Sequence, residues 1–381
     1  MHVNLYAYSY TVKWGKEMKG LSIGCVMALL VGCTTTEQEY PPGGFEEETQ
    51  TQLGIVRIDT HDVVVDDREW ENDWVAVDID FIEGTSSTPA SFETSPVWSG
   101  QGGIHVRGNS SRGYEKKQYA LETWDAEGND IDVAPFGLPE EEDWILQGPF
   151  SDKTLMRNHL MFHWARAIGR YAPRTHFVEL FMADDGEPLR ASHYRGVYVL
   201  TEKIKRDKNR VDVEKMTETD NEAPNVQGGY LLKRDWLDGN EVITDLYEDE
   251  LVMTYPKADK MTDPQRDYLR GYLNDFERAL NKEDGSYTDY ADRDSFIDQM
   301  MMMELSRNVD AYVLSTHMHK KRDGLLTMGP IWDFNGSLGN ADYFESRDLE
   351  GWHYENSEFP ADNPNGFHWY AQMLKDDDFQ S

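Results

Sequence analysis

Two aspartates in the C-terminal third of the chain have the spacing of a shared chemical site. Asp310 stands in NVDAYVLST, just past a predicted helix. Asp333 stands in GPIWDFNGSLGN, 23 residues further on, and the residues between the two are typical of a short pair of strands. Two separated acids beside a mobile loop are the minimum for phosphoryl transfer, because one can accept a proton while the other holds Mg²⁺. A strand that ends in an acid and a small, glycine-containing run is also an ordinary turn.

A second set of residues has the composition of an anion site. HVRGNSSRGYEKKQY runs through a small polar turn and returns as a strand. Such a turn exposes backbone N–H groups that can face phosphate oxygens, and a lysine on the strand beyond it can reach them. The alternative is a solvated hairpin tip. The candidate side chains are Arg107, Asn109, Ser110, Ser111, Lys116 and Lys117.

Two further positions could complete this site. Glu202 lies near the end of the apolar strand YVLTEKI, where it could pair with Lys116 or Lys117, or be an ordinary edge-strand charge. Lys153 and Arg157 stand four residues apart at the start of a predicted helix and therefore on one face. Beside a helix N-terminus they would form an anion site, and otherwise a solvated face.

Strand-like and helix-like segments alternate from Gly54 onward and must position these residues. GGIHVRGNSS with KKQYALETW, and HFVELFM with HYRGVYVLTEKI, are predicted to form two hairpins. GGYLLKRD is a further strand. Helices are predicted over 153–169, over 263–281 with Asp263 as the cap, and over about 294–308. Strands first and helices later indicate an α+β, two-lobed body.

The N-terminal segment is typical of a targeting signal. Three lysines precede the apolar run LSIGCVMALLV, which is too short to cross a membrane and ends in LVGC, the pattern of a bacterial lipobox. This predicts lipidation of Cys33, an anchor in the membrane and an extracytoplasmic location in the bacterial cell envelope; the alternative is an ordinary cleaved signal peptide. Cys25 and Cys33 are the only cysteines, so the mature domain has neither a disulfide nor a thiol site. The polar residues that follow are typical of a flexible tether.

The amino-acid composition argues against one class of binding partner. The 381 residues carry a net charge of −34, which argues against nucleic acid as a partner, because contacts with its phosphates need clustered Lys and Arg.

Seven of these motifs occur in a fixed order. They are RGNSS…KK, DWILQGPFSDKTLMRN, APR…FVELF, YRGVYVLTEKI, GGYLLKRD, NVDAYVLST and GPIWDFNGSLGN. From about Gly102 to Asp378 the ordered set resembles the CotH spore-coat kinase family. The resemblance implies an atypical protein-kinase-like, two-lobed fold with a β-rich N-terminal part and a helical C-terminal part. It also implies the binding of ATP and Mg²⁺ and the phosphorylation of protein substrates.

The resemblance also implies residue roles. Lys116 or Lys117 resembles the phosphate-binding lysine, and Glu202 resembles its carboxylate partner. Asp310 resembles the catalytic acid, and Asp333 resembles the metal-binding aspartate. The turn residues Arg107, Asn109, Ser110 and Ser111, together with Arg157, would then contact the nucleotide.

The pattern departs from a protein kinase at the metal site. A kinase catalytic loop has Asn five residues after its aspartate as a second metal ligand, whereas Ser315 stands there in this chain. Asn335 stands two residues after Asp333, where a second acid would help. An Asn carbonyl can still bind Mg²⁺, so Asn335, or else Asn308 or Asn340, could supply the missing ligand.

These observations predict three segments: a lipoprotein signal peptide at 1–33, a flexible linker at 34–53 and a CotH kinase-like domain at 54–381. The last segment, GFHWYAQMLKDDDFQS, is typical of an amphipathic helix cut short, so the domain is expected to continue. The predicted function is an ATP- and Mg²⁺-dependent kinase acting on secreted or surface proteins. Since ATP is scarce outside the cytoplasm, the alternative is a non-catalytic, pseudokinase-like surface module that binds a protein or glycan.

Two other enzyme classes are disfavoured. Among 71 acidic residues some pair always has a suitable spacing for glycoside hydrolysis, and nothing in the order of the motifs supports that chemistry. His317 and His319 would lie on one face of a strand, but without an evident third metal ligand they are better explained as a strand-surface pair.

Overall fold

The computed structural model describes residues 45–65, 74–239, 241–248, 250–344, 346–348, 350–355 and 368–380. The predicted signal peptide, Cys33 and residues 34–44 of the predicted linker lie outside these residues. Within them the chain forms twelve β-strands and five α-helices. The strands are β1 Gly54–Asp59, β2 Val75–Ile82, β3 Trp98–Arg107, β4 Gln118–Trp124, β5 Asp143–Gln147, β6 Thr175–Ala183, β7 Tyr194–Glu202, β8 Tyr230–Arg234, β9 Glu241–Ile243, β10 Glu250–Tyr255, β11 Thr316–Lys320 and β12 Leu326–Met328. The helices are α1 Arg157–Ala167, α2 Asp263–Leu280, α3 Arg293–Ser306, α4 His368–Met373 and α5 Asp377–Gln380.

The first seven strands form a closed barrel in the order β1-β2-β3-β4-β5-β7-β6. All neighbours are antiparallel except β1 and β6, whose parallel pairing closes the barrel. Successive side chains of a strand point to opposite faces, which explains how the barrel interior is filled. In β2 the buried Val77, Ile79 and Phe81 are separated by more exposed residues. Both predicted hairpins are confirmed as β3 with β4 and β6 with β7.

The described chain packs against the barrel before β1 begins. Phe45 is buried and its ring meets the edge of Phe181 at 5.1 Å between centroids. Thr51 forms a β-bridge with Ala90. Residues Phe45 and Thr51, at the end of the predicted linker, are therefore ordered against the barrel domain.

The later strands form a second sheet in the order β12-β11-β8-β10-β9. Its apolar side chains share a core with the longer helices α2 and α3 and with α4, including Leu232, Leu251, Leu273, Phe276, Phe296 and Trp369. The three predicted helices are confirmed, although Thr262 rather than Asp263 caps α2 by accepting from the Gln265 N–H. Among the described residues, no helix combines the length and the apolar character needed to span a membrane.

The predicted fold class is wrong. The structure is β-rich, with a closed seven-stranded barrel, and it is not a two-lobed kinase fold with a helical C-terminal lobe. Local patterns identified most strands of the barrel but gave no sign that β6 would return beside β1 and close it. The C-terminal part was expected to be helical, yet a five-stranded sheet lies within it. This sheet was not predicted, because β9 and β12 are only three residues long and carry little periodic signal.

Candidate active site

Asp310 and Asp333 enter the site from two turns that flank β11 and β12. Asp310 lies in the turn between α3 and β11, and Asp333 lies five residues after the end of β12. Because β11 and β12 are antiparallel neighbours, these two turns are brought together by the sheet. The charge of Asp333 contributes to the raised pKa of Asp310, as expected for carboxylates on neighbouring turns.

A third aspartate joins them from β8. This strand pairs with β11 so that Arg234 stands opposite Thr316. Asp235 and Ser315 are the next residues on each chain, so the same register brings them side by side. The sequence analysis missed Asp235, because one acid after one strand among 71 acidic residues gives no distinguishing signal.

The three acids repel one another in a partly dry environment. Burial raises the pKa of Asp310 to about 7, and the carboxylates of Asp333 and Asp235 add to this rise. Burial also raises the pKa of Asp333; Arg107 opposes that rise and Asp235 reinforces it. Within the described part of the chain, neither the Asp310 nor the Asp333 carboxylate accepts a hydrogen bond. The site therefore contains charged oxygen atoms that the protein leaves without donors.

Arg107 supplies a countercharge. It ends β3, and its guanidinium carbon lies 5.7 Å from the ring centroid of Trp332. Burial lowers its pKa, while Asp333 and Asp235 raise it. An arginine stays protonated under such shifts, so Arg107 remains a fixed cation beside the acids.

The aromatic neighbours of Asp333 anchor its turn. Phe334 is almost fully buried, and Trp332 stacks on Phe162 of α1 with ring centroids 5.6 Å apart. The backbone N–H of Phe334 donates to Asn158 Oδ1 at 2.6 Å, which ties the turn to the start of α1. Asp333 itself has a left-handed φ of 62°.

Left-handed backbone is concentrated around these turns. Of twelve non-glycine residues with positive φ in the described chain, six lie between Arg307 and Phe344. Each such residue costs about 1–3 kcal/mol and persists where its surroundings hold it, often at functional sites. The six are Arg307, Tyr312, Ser315, Asp333, Leu338 and Phe344.

The other predicted metal ligands lie in the same turns. Asn335 donates from Nδ2 to Ser151 Oγ at 3.2 Å, which leaves its Oδ1 as a possible ligand atom. Asn340 donates to the Asn335 carbonyl at 2.7 Å and fixes the turn. Carboxylate, amide and hydroxyl oxygens are the donors that Mg²⁺ prefers, so the residues at this site fit that ion.

Lys116 and Lys117 come immediately before the start of β4. Lys116 donates to the Val197 carbonyl at 2.5 Å and lies 4.6 Å from the ring centroid of Tyr198. Burial lowers its pKa to about 8, with Glu179 opposing and Lys153 adding to the shift. Lys117 donates to the Arg112 carbonyl and so closes the polar turn.

Glu202 does not pair with either lysine. It is fully buried and accepts from Arg174 Nε at 2.7 Å and from Arg210 Nη1 at 2.7 Å. Strand β5 separates β7 from β4, and the register aligns Glu202 with Trp144 and then with Leu121. Leu121 is five residues from Lys116, which corresponds to about 16 Å along a strand. The carboxylate that acts on Lys116 is instead Glu179, a second residue missed by the sequence analysis.

The polar turn contains a 3₁₀ turn, and the start of α1 carries an ion pair. Asn109 precedes a 3₁₀ turn over Ser110–Gly113, in which Ser111 is buried. Arg157 forms an ion pair with the buried Asp152, whose Oδ2 also accepts from the Arg157 backbone N–H. Its charge is therefore compensated within the protein.

Aromatic side chains lie near Lys153 and near the acids. Lys153 lies 4.1 Å from the ring centroid of Phe150, and that ring stacks on Tyr114 at 5.1 Å. Tyr114, Asp310 and Asp333 all raise the pKa of Tyr343, although burial is the largest cause. Tyr343 is therefore within electrostatic range of Tyr114, Asp310 and Asp333.

Two other groups of ligand-type residues are explained by structure. Glu141, Glu142 and Asp143 cluster at the start of β5, and Lys205 lies 2.6 Å from a carboxylate oxygen of each, so a protein cation already compensates them. His317 is buried opposite Lys233, and burial lowers its pKa to about 3. His319 is in contact with the Gly329 carbonyl at 3.2 Å.

Comparison with protein-family models matches residues 104–381 to the model described as CotH kinase protein. The match covers most of the chain and includes every candidate site residue from Arg107 to Asn335. Comparison with curated proteins gave no match.

Proposed function

The chain belongs to the CotH kinase family, and from this premise we propose that it is an ATP- and Mg²⁺-dependent kinase that phosphorylates secreted or surface proteins. The observation that carries the proposal is the meeting of Asp310, Asp333 and Asp235 beside Arg107. Family membership supports a kinase-like function, and this meeting of charges supports its chemistry.

Asp310 is proposed as the general base. An acid with a pKa near 7 is partly ionised at neutral pH and accepts a proton more readily than an ordinary carboxylate. It would take the proton of the acceptor hydroxyl while the hydroxyl oxygen bonds to the γ-phosphorus of ATP. The bond from that phosphorus to the bridging oxygen breaks, and ADP leaves with the electron pair.

Asp333 is proposed as the main Mg²⁺ ligand, with Asn335 beside it. When bound, the ion would neutralise charge on the phosphate oxygens. Arg107 would hold the Asp333 carboxylate in its ionised form. Lys116, whose side chain is partly desolvated, would contact a phosphate, and the Asn109–Ser111 turn would offer backbone N–H groups.

The proposed location follows from the N-terminal sequence. Cys33 would carry a lipid anchor that holds the domain at an extracytoplasmic membrane surface of a bacterial envelope. Its protein substrates would then be secreted or surface proteins. Mass spectrometry of the N-terminal peptide tests the anchor, because a lipidated Cys33 adds the mass of its acyl chains.

The test of the activity is calorimetry with Mg²⁺·ATP on the full chain, beside the Asp333→Ala variant. We expect micromolar binding by the wild type and a much weaker signal from the variant. A transfer assay with γ-labelled ATP, using Asp310→Asn as the inactive control, then tests the chemistry. Absence of nucleotide binding by the folded wild type would overturn the proposal and favour a non-catalytic surface module that binds a protein or glycan.

A further inference from the structure

We propose that Asp235 is a second carboxylate ligand of the divalent cation at this site, beside Asp333, and that Lys233 fixes its orientation. This inference rests on the proposed function and assigns a residue to which the sequence pattern gave no role.

The register places Asp235 where a ligand is missing. Ser315 occupies the position five residues after Asp310 at which a kinase catalytic loop has an Asn ligand. A serine hydroxyl carries no charge, and the serine side chain is shorter than that of Asn. Arg234 stands opposite Thr316, so Asp235 is the neighbour of Ser315 on the adjacent strand. Asp235, the residue after β8, therefore places a carboxylate beside the uncharged Ser315.

The contacts of Asp235 orient its carboxylate and leave some of its acceptor positions open. Its Oδ2 lies 2.9 Å from Lys233 Nζ, and its Oδ1 accepts the Trp236 backbone N–H at 2.9 Å. Each carboxylate oxygen offers about two acceptor positions, so one position on each oxygen stays open. Lys233 itself stands opposite His317 in the sheet and is partly buried, which limits its motion.

The segment after Asp235 leaves the site accessible. Trp236 and Leu237 are 64% and 54% exposed, so β8 ends at the surface. The Asp235 side chain is itself 20% exposed. A cation that arrives with a nucleotide can therefore reach this carboxylate without opening the core.

The test measures cation binding and needs no activity. Mn²⁺ replaces Mg²⁺, and the loss of the free Mn²⁺ signal in electron paramagnetic resonance, beyond the loss that the same ATP concentration causes without protein, gives its affinity for the full chain. The variants are Asp235→Asn, Asp235→Ala and Asp333→Asn. The matched control is Asp259→Asn, an aspartate that is 70% exposed and lies beside Lys260.

We expect both Asp235 variants to bind Mn²⁺ at least about tenfold more weakly, because loss of even an outer partner of a metal ligand costs 10- to 100-fold in affinity. Asp333→Asn should weaken binding as much or more, and the control should match the wild type. Lys233→Met should give a smaller loss than Asp235→Ala, since it frees the carboxylate without removing it.

Three results would overturn the inference. If Asp235→Asn and Asp235→Ala bind Mn²⁺ like the wild type while Asp333→Asn does not, the inference fails and the proposed function stands. If the folded wild type binds no Mn²⁺ with ATP, both fail. If neither Asp235 variant folds, as judged by near-ultraviolet circular dichroism, Asp235 belongs to the fold and is not a ligand.

Discussion

Replacing Glu202 by Gln tests whether the structure or the resemblance describes this residue correctly. The resemblance gives Glu202 a role beside the phosphate-binding lysine. In the structure it is fully buried and receives donors from Tyr171, Arg174 and Arg210. We therefore expect Glu202→Gln to reduce stability strongly.

The magnitude follows from Arg210. Both side chains of the Glu202–Arg210 pair are 0% exposed, so the variant leaves a buried guanidinium without its anion. Breaking such a pair costs about 3–5 kcal/mol. For the unit of roughly 340 residues from Phe45 to Ser381, an unfolding entropy of about 2.1 cal/mol/K per residue gives about 0.7 kcal/mol/K. The expected fall in Tm is then about 4–7 °C.

The assay is differential scanning calorimetry at pH 7, at low and at high salt. A matched control is Glu187→Gln, which removes the acid of an exposed pair with Arg190 and should lower Tm by less than about 1 °C. Because the Glu202 pair is buried, salt should change its effect little. A shift in Glu202→Gln no larger than in the control, together with loss of nucleotide binding, would refute the structural role and restore the lysine-partner role.

Three further changes test the candidate site. Since burial raises the pKa of Asp310 to about 7, its ionised form destabilises the fold as pH rises from about 4 through 7, so Asp310→Asn should raise Tm at pH 8 and not at pH 4. Thermal melts across this range would contradict the reasoning if the difference did not grow with pH. Phe334→Ala should cost about 3–5 kcal/mol in urea denaturation, because it empties a buried site under the Asp333 turn. Arg107→Met should raise the pKa of Asp333 further and so weaken Mn²⁺ binding more at pH 6 than at pH 8; an equal loss at both values would argue against it.

The local features of the fold were predictable from the sequence, and its closure was not. Alternating residues identified both barrel hairpins, and apolar spacing with polar caps identified α1, α2 and α3. These signals depend on residues near each other in the chain. The parallel pairing of β1 with β6 joins segments more than a hundred residues apart and has no local signature. The prediction of a helical C-terminal lobe failed because short strands carry too few residues to show a period.

The same distinction applies to the site. Asp310 and Asp333 were found because each lies in a distinctive motif, and the structure brings them together. Asp235 was missed because its role depends on the pairing of β8 with β11, which no motif encodes. The predicted pairing of Glu202 with a lysine was wrong because β5 lies between β4 and β7 and keeps the two side chains apart, a strand order that the sequence does not reveal. Its arginine partners appear only once the barrel is closed and the segment after β7 folds back.

The turn at Asp333 shows why this region is better explained as a site than as a plain turn. Its backbone φ of 62° favours Gly or Asn, either of which adopts that conformation more easily and carries no charge. Asp333 adds a partly buried carboxyl group next to Asp310 and Asp235 and accepts no hydrogen bond in the described chain. Trp332 and Phe334 hold the turn against α1, so the turn does not need the carboxylate for its stability. The carboxylate is therefore destabilising to the unliganded fold, and a cation that binds it would relieve that repulsion and stabilise the folded state.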